Sequence, residues 1–127
     1  MPLLAFLEAG EDFPPSSEAL PAPNGLLAAG GSLDAATLLA AYSRGIFPWY
    51  EAPQPVLWWT PDPRSVLFLD ELHVSRSLQR RLRRDDFILS ADRAFDTVMR
   101  ACAAPREGQC GTWIDSAMLD AYGALHR

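Results

Sequence analysis

The stretch GIFPWYEAPQPVLWWTPDPR, residues 45–64, restricts this chain more than any other, because it carries three tryptophans, a tyrosine and five prolines. Each proline fixes its own φ, removes a backbone donor and biases the residue before it toward extended geometry. Neither a helix nor a long strand can form here, only turns and short extended pieces. The aromatic side chains are therefore held by irregular backbone. Either they plug a core from a loop, or they form a wall against which a flat group can lie.

A chain of 127 residues, 49% of them hydrophobic, suits one ordinary globular domain. No run approaches the roughly 18 to 20 apolar residues needed to span a bilayer. The opening MPLLAFLEAGEDFPP lacks the basic region and cleavage site of a secretory signal, so the expectation is a cytoplasmic protein with no membrane partner. Cys102 and Cys110 fit no metal-ligand spacing and are expected to be reduced thiols. The formal charge of -5 is unevenly spread. Up to Asp62 the lone basic residue is Arg44, whereas SRSLQRRLRRDD concentrates Arg76, Arg80, Arg81, Arg83 and Arg84. A basic patch survives inside an acidic total.

Coarse patterning predicts an α+β chain. Residues up to about Asn24 read as a surface arm, with Phe6, Leu7 and Phe13 as anchors. NGLLAAGGSLDAATLLAAYSRGIF contains a helix started by Ser32 or Asp34 and stopped by Gly45, with Leu38, Leu39 and Tyr42 at helical spacing. Arg64–Leu69 and Phe87–Leu89 are rich in strand formers. Between them lies an arginine helix capped by Ser75, whose Leu78 and Leu82 are expected to face the protein. DRAFDTVMRACAA places Phe95, Val98, Met99 and Cys102 on one helix face. The last helix begins at Asp115 and turns Met118, Leu119, Tyr122 and Leu125 inward. Two strands alone are marginal in water, so the pattern reads as incomplete.

Arg76, Arg80, Arg83 and Arg84 stand at i, i+4, i+7 and i+8, one helix face that suits phosphates along a nucleic-acid backbone. A solvated face partly neutralised by Glu71, Asp85 and Asp86 is the plainer alternative. Trp58 and Trp59 are adjacent, so alternation sends at least one into the core. Trp49 and Trp113 are presented by loops, where they either stack a base or plug a core. His73 and His126 stand apart from any nucleophile or ligand pattern, and no carboxylate pair suggests acid–base work. The residues alone identify no reaction.

The segments GIFPW, LWWTPDPR, LHVSRSLQRRLRR and GTWIDSAMLDAYGALH together resemble the N-terminal half of bacterial leucyl/phenylalanyl-tRNA-protein transferases, from about Pro23 to the last residue. The resemblance implies a small N-terminal domain over 1–62, followed over 63–127 by the incomplete start of an acetyltransferase-like (GNAT-like) domain. It implies an aminoacyltransferase that moves leucine or phenylalanine from charged tRNA to a protein's N-terminal arginine or lysine, marking it for degradation through the N-end pathway. The partners implied are Leu-tRNA, Phe-tRNA and such proteins, with no cofactor and no metal. Trp49 and Trp113 match the aromatics that hold the terminal adenosine, and Tyr42 and Tyr122 match positions beside that pocket. Arg76, Arg80, Arg83 and Arg84 match the basic cluster that contacts the tRNA body. The family's acyl pocket and amine-orienting groups match no position of this sequence, so no catalytic residue is assigned. On that ground the chain alone is expected to lack transfer activity, and a non-catalytic tRNA-binding module is the alternative.

Overall fold

The computed structural model describes residues 3–108 and 112–127. Its architecture is α+β, a small mixed sheet with four helices among the described residues. The strands are β1 (Ala5–Leu7), β2 (Leu26–Gly30), β3 (Phe47–Pro48) and β4 (Leu57–Trp59). The helices are α1 (Ala35–Ser43), α2 (Arg76–Arg83), α3 (Phe95–Ala103) and α4 (Ser116–His126). Packing divides the chain into two units, Met1–Asp62 with Ala94–Arg127, and Pro63–Arg93.

In the first unit the sheet order is β1-β2-β4-β3. β1 runs parallel to β2, while β4 is antiparallel to both β2 and β3. The proline-rich stretch thus yields two short strands joined by turns, as its composition requires. All five residues of β2 are buried, which its LLAAG sequence permits because none of them carries a polar side chain. Trp58 lies opposite Ala28 on one side and Pro48 on the other, so a small residue and a flat one flank the indole. The core gathers Leu7, Phe13, Leu27, Ala28, Leu38, Ala41, Ile46, Trp58 and Ala121.

Local signals set the helix ends. Asp34 caps α1 by accepting from the Thr37 amide at 2.9 Å, and Gly45 takes φ +70° just beyond it. Ser32 serves the cap indirectly by donating to the Asp34 carboxylate. Asp34 is held down at about 2, first by that Ser32 hydrogen bond and then by the Thr37 amide and hydroxyl. Ser75 and Asp115 cap α2 and α4 in the same way, through the amides of Leu78 and Met118.

Several expectations are corrected. The N-terminal arm is part of the sheet: β1 pairs with β2, and Leu7 and Phe13 are buried, while Phe6 is exposed. Arg44 fastens this segment, its guanidinium donating to the carbonyls of Phe13 (2.8 Å) and Pro14 (2.6 Å). LLAAG is a strand preceding the α1 helix. Arg64–Leu69 and Phe87–Leu89 are not strands; a 3-10 turn covers Leu69–Glu71, and no strand is formed by 87–89. Strand propensity expresses packing on a sheet more than a backbone preference, and among the described residues neither segment joins the sheet. In the second unit every residue but Val74 is exposed, including Leu78 and Leu82, which face no core within that unit. Leu39 on α1 and Val98 on α3 are exposed too, whereas Met118 is fully buried and Leu119, Tyr122 and Leu125 are half-buried. Cys102 is a free thiol; Cys110 lies outside the described residues.

Candidate nucleotide-binding site

Trp49 follows directly on β3, and its backbone is held on both sides. Its amide donates to the Leu57 carbonyl at 2.9 Å, and its own carbonyl accepts from Trp59 Nε1 at 2.7 Å. The Trp49 and Trp59 rings lie 6.2 Å apart at 54°. Yet Trp49 is 51% exposed, so the fixed backbone presents an aromatic residue to solvent. Alternation along β4 places Trp58 at 0% exposure with Nε1 donating to the Gly30 carbonyl at 2.9 Å, while Trp59 is half-buried. Trp58 is core; Trp59 braces Trp49.

Trp113 stands just before α4 and is 40% exposed. Around it, the Ile114 amide donates to Thr112 Oγ1 at 3.3 Å, and Asp115 Oδ1 caps the Met118 amide at 2.8 Å. Tyr50, the residue after Trp49, is buried and donates its hydroxyl to Asp115 Oδ2 at 3.2 Å. The segments that carry the two indoles are therefore tied together by one side-chain contact. Burial, reinforced by the Asp115 carboxylate, pushes the Tyr50 phenol up to about 12. The pairing has no sequence signal: Asp115 reads as a helix cap, and Tyr50 as one more aromatic of a crowded stretch.

Tyr42 on α1 and Tyr122 on α4 meet edge to face, with centroids 6.4 Å apart, and their hydroxyls share a hydrogen bond. Burial, then the Tyr42 hydroxyl, raises the Tyr122 phenol above its ordinary value. Tyr42 is exposed and Tyr122 packs against the core, so the pair leads from the core to the surface. Each phenol hydroxyl can donate or accept a hydrogen bond. Trp49, Trp113, Tyr42 and Tyr122 all belong to the first unit.

In the second unit, α2 carries Arg76, Arg80 and Arg83, with Arg84 as its C-cap. Arg81 is neutralised by Asp86 at 3.5 Å and lies over the Phe87 ring at 5.0 Å. Arg76, Arg80, Arg83 and Arg84 have no ion-pair partner among the described residues. Four guanidinium groups are thus left for anions in solution. His73 lies in the irregular segment before α2, and the His126 ring stacks on Phe95 at 4.1 Å, which fastens α3 to α4. Among the described residues no cluster of three His, Cys, Asp or Glu side chains could hold a metal ion, and no helix is long and apolar enough to cross a membrane.

Comparison with known proteins agrees with the motifs. The family model described as leucyl/phenylalanyl-tRNA protein transferase matches residues 66–127, and the model of that family's N-terminal domain matches residues 31–62. The leucyl/phenylalanyl-tRNA–protein transferase of Alcanivorax borkumensis is 60% identical over 125 residues, covering 98% of this chain and 52% of the relative. Its namesake from Pseudomonas fluorescens is 59% identical over 115 residues, covering 91% of this chain and 51% of its own length. That of Nitrosospira multiformis is 55% identical over 124 residues, with 98% and 53% covered. The chain spans about half the length of these relatives. With both family models matching in order and relatives of this identity along nearly its whole length, the chain belongs to the leucyl/phenylalanyl-tRNA-protein transferase family.

Proposed function

We propose that this chain supplies the tRNA-binding part of a leucyl/phenylalanyl-tRNA-protein transferase, in which Trp49 and Trp113 hold the terminal adenosine of the charged tRNA. The observation that carries the reading is the half-exposed Trp49 indole on a backbone pinned by Leu57 and Trp59, within a segment tied to the one that bears Trp113. A solvent-facing indole on rigid backbone is a ready stacking surface, and stacking is worth about 1–3 kcal/mol per base. Tyr42 and Tyr122, which share a hydrogen bond, are assigned to the edge of the same pocket. Arg76, Arg80, Arg83 and Arg84 take phosphates of the tRNA body. The domain boundary is proposed after Asp62, with 63–127 as the start of the acetyltransferase-like domain; the family-model matches, which end at 62 and resume at 66, support the boundary, whereas packing groups 94–127 with the first unit.

The reaction is aminoacyl transfer. The N-terminal amine of an arginine- or lysine-initiated protein attacks the ester carbonyl carbon of leucyl- or phenylalanyl-tRNA. The new amide C–N bond forms, the ester C–O bond breaks, and the proton shed by the amine ends on the ribose hydroxyl that leaves. The ester already stores the driving force, so neither ATP nor a metal enters. The product is a substrate for degradation through the N-end pathway. What these residues contribute is the grip on the ester's adenosine, which turns a bimolecular encounter into an oriented one.

The test is titration of Leu-tRNA against the chain, followed by transfer of labelled leucine to a peptide beginning with arginine. Trp49→Ala or Trp113→Ala is expected to weaken tRNA binding about 5- to 150-fold, the equivalent of about 1–3 kcal/mol. Binding without transfer assigns recognition to these residues, as in the tRNA-binding module, and the chemistry to a polypeptide like the unmatched half of the relatives. Unchanged binding in both variants refutes the adenosine platform.

A further inference from the structure

We infer that Tyr50 and Asp115 are a positioning pair that sets the spacing of the two indoles, an inference that rests on the adenosine platform proposed above and adds two residues to it. Tyr50 is 7% exposed, so its ring has little room to move, and it is the immediate neighbour of Trp49. Its hydroxyl reaches across 65 residues of sequence to Asp115, at 3.2 Å from Oδ2 and 3.5 Å from Oδ1. Asp115 is two residues after Trp113 and simultaneously caps α4 through Oδ1, 2.8 Å from the Met118 amide. Met118 is fully buried, so the cap is anchored in the core rather than in a free helix end. One carboxylate therefore uses one oxygen to fix α4 and the other to fix the loop that carries Trp49.

The two oxygens separate what the pair does for structure from what it does for the site. The cap needs only an acceptor at Oδ1; nothing in helix formation needs Tyr50. An adenine held between two rings needs a defined gap, since stacking weakens steeply once ring faces part by a fraction of an ångström. A buried phenol held against Asp115 gives that definition, because the contact ties the residue after Trp49 to the residue two positions after Trp113.

The experiment uses the whole chain and adenosine 5′-monophosphate, the terminal nucleotide of tRNA, as probe. Tyr50→Phe keeps the ring and the α4 cap. It is expected to retain near-parental folding yet bind the nucleotide about tenfold more weakly, with a shifted Trp113 indole N–H resonance. Asp115→Asn keeps an oxygen for the cap and turns an amide toward the phenol, which can accept from it. It should recover most of the binding that Asp115→Ala loses. If Tyr50→Phe binds like the parent with an unmoved Trp113 signal while Trp49→Ala loses binding, the pair is overturned and the platform stands. If Trp49→Ala and Trp113→Ala leave nucleotide binding intact, the platform falls. The pair's positioning of Trp113 is then decided by the indole resonance in Tyr50→Phe: a shift upholds it, an unmoved signal refutes it.

Discussion

Replacing Trp58 by phenylalanine tests whether the tryptophans are divided between core and surface as the structure has them. Trp58 is fully buried, its Nε1 donates to the Gly30 carbonyl at 2.9 Å, and its ring meets the Phe13 ring edge to face at 4.8 Å and 71°. Phenylalanine retains an aromatic ring beside Phe13 but removes the donor. A buried carbonyl deprived of its partner costs about 1–3 kcal/mol. The smaller ring also leaves roughly 40 Å³ unfilled, which adds about 1 kcal/mol at about 24 cal/mol per Å³. The sum is about 2–4 kcal/mol. With a urea slope of about 2 kcal/mol per molar for a small protein, the unfolding midpoint should fall by about 1–2 M. Trp59→Phe is the matched comparison: Trp59 is half-buried and its Nε1 bonds the Trp49 carbonyl at 2.7 Å in an exposed setting, where water can substitute. Its cost should be about 1 kcal/mol or less. Urea unfolding followed by far-ultraviolet circular dichroism reads both. A Trp58→Phe midpoint equal to the parent's, or a larger loss in Trp59→Phe, would refute the assignment of Trp58 to the core.

Three other outcomes follow from the structure. Asp34 is held at about 2 instead of the usual 3.8, so its contribution is present above about pH 4 and is lost as the pH falls through about 2; acid titration of Asp34→Asn should show a flatter loss of stability across that window. A Cβ on Gly25 would stand 2.4 Å from the Pro61 Cα at a φ of +88°, whereas one on Gly10 meets nothing within 4 Å. In thermal melts Gly25→Ala should therefore cost more than about 2 kcal/mol and Gly10→Ala only about 1. Arg76→Ala and Arg80→Ala should each lower the salt dependence of tRNA binding by about one unit of log–log slope, and Arg81→Ala, already paired with Asp86, should lower it less.

The sequence by itself determined what depends on near neighbours. Asp34, Ser75 and Asp115 cap helices, and Gly45 ends one, because a cap is a bond between residues three apart and a left-handed stop is one residue's backbone. Prolines ruled out long elements in 45–64 for the same local reason, and the motifs there were specific enough to indicate the family. Tertiary structure decided the strands. LLAAG has little strand propensity, yet it is the buried centre of the sheet because β1 and β4 pair with it on either side. RSVLFL and FIL have the propensity but no paired neighbour among the described residues, and they remain irregular. The same distinction holds for the site. Trp49 on a proline-bounded loop was legible as a presented aromatic, whereas its bracing by Trp59 and the bond from Tyr50 to Asp115 were not. Those contacts join residues 10 and 65 positions apart, and only the packing of β3, β4 and α4 brings their side chains within reach.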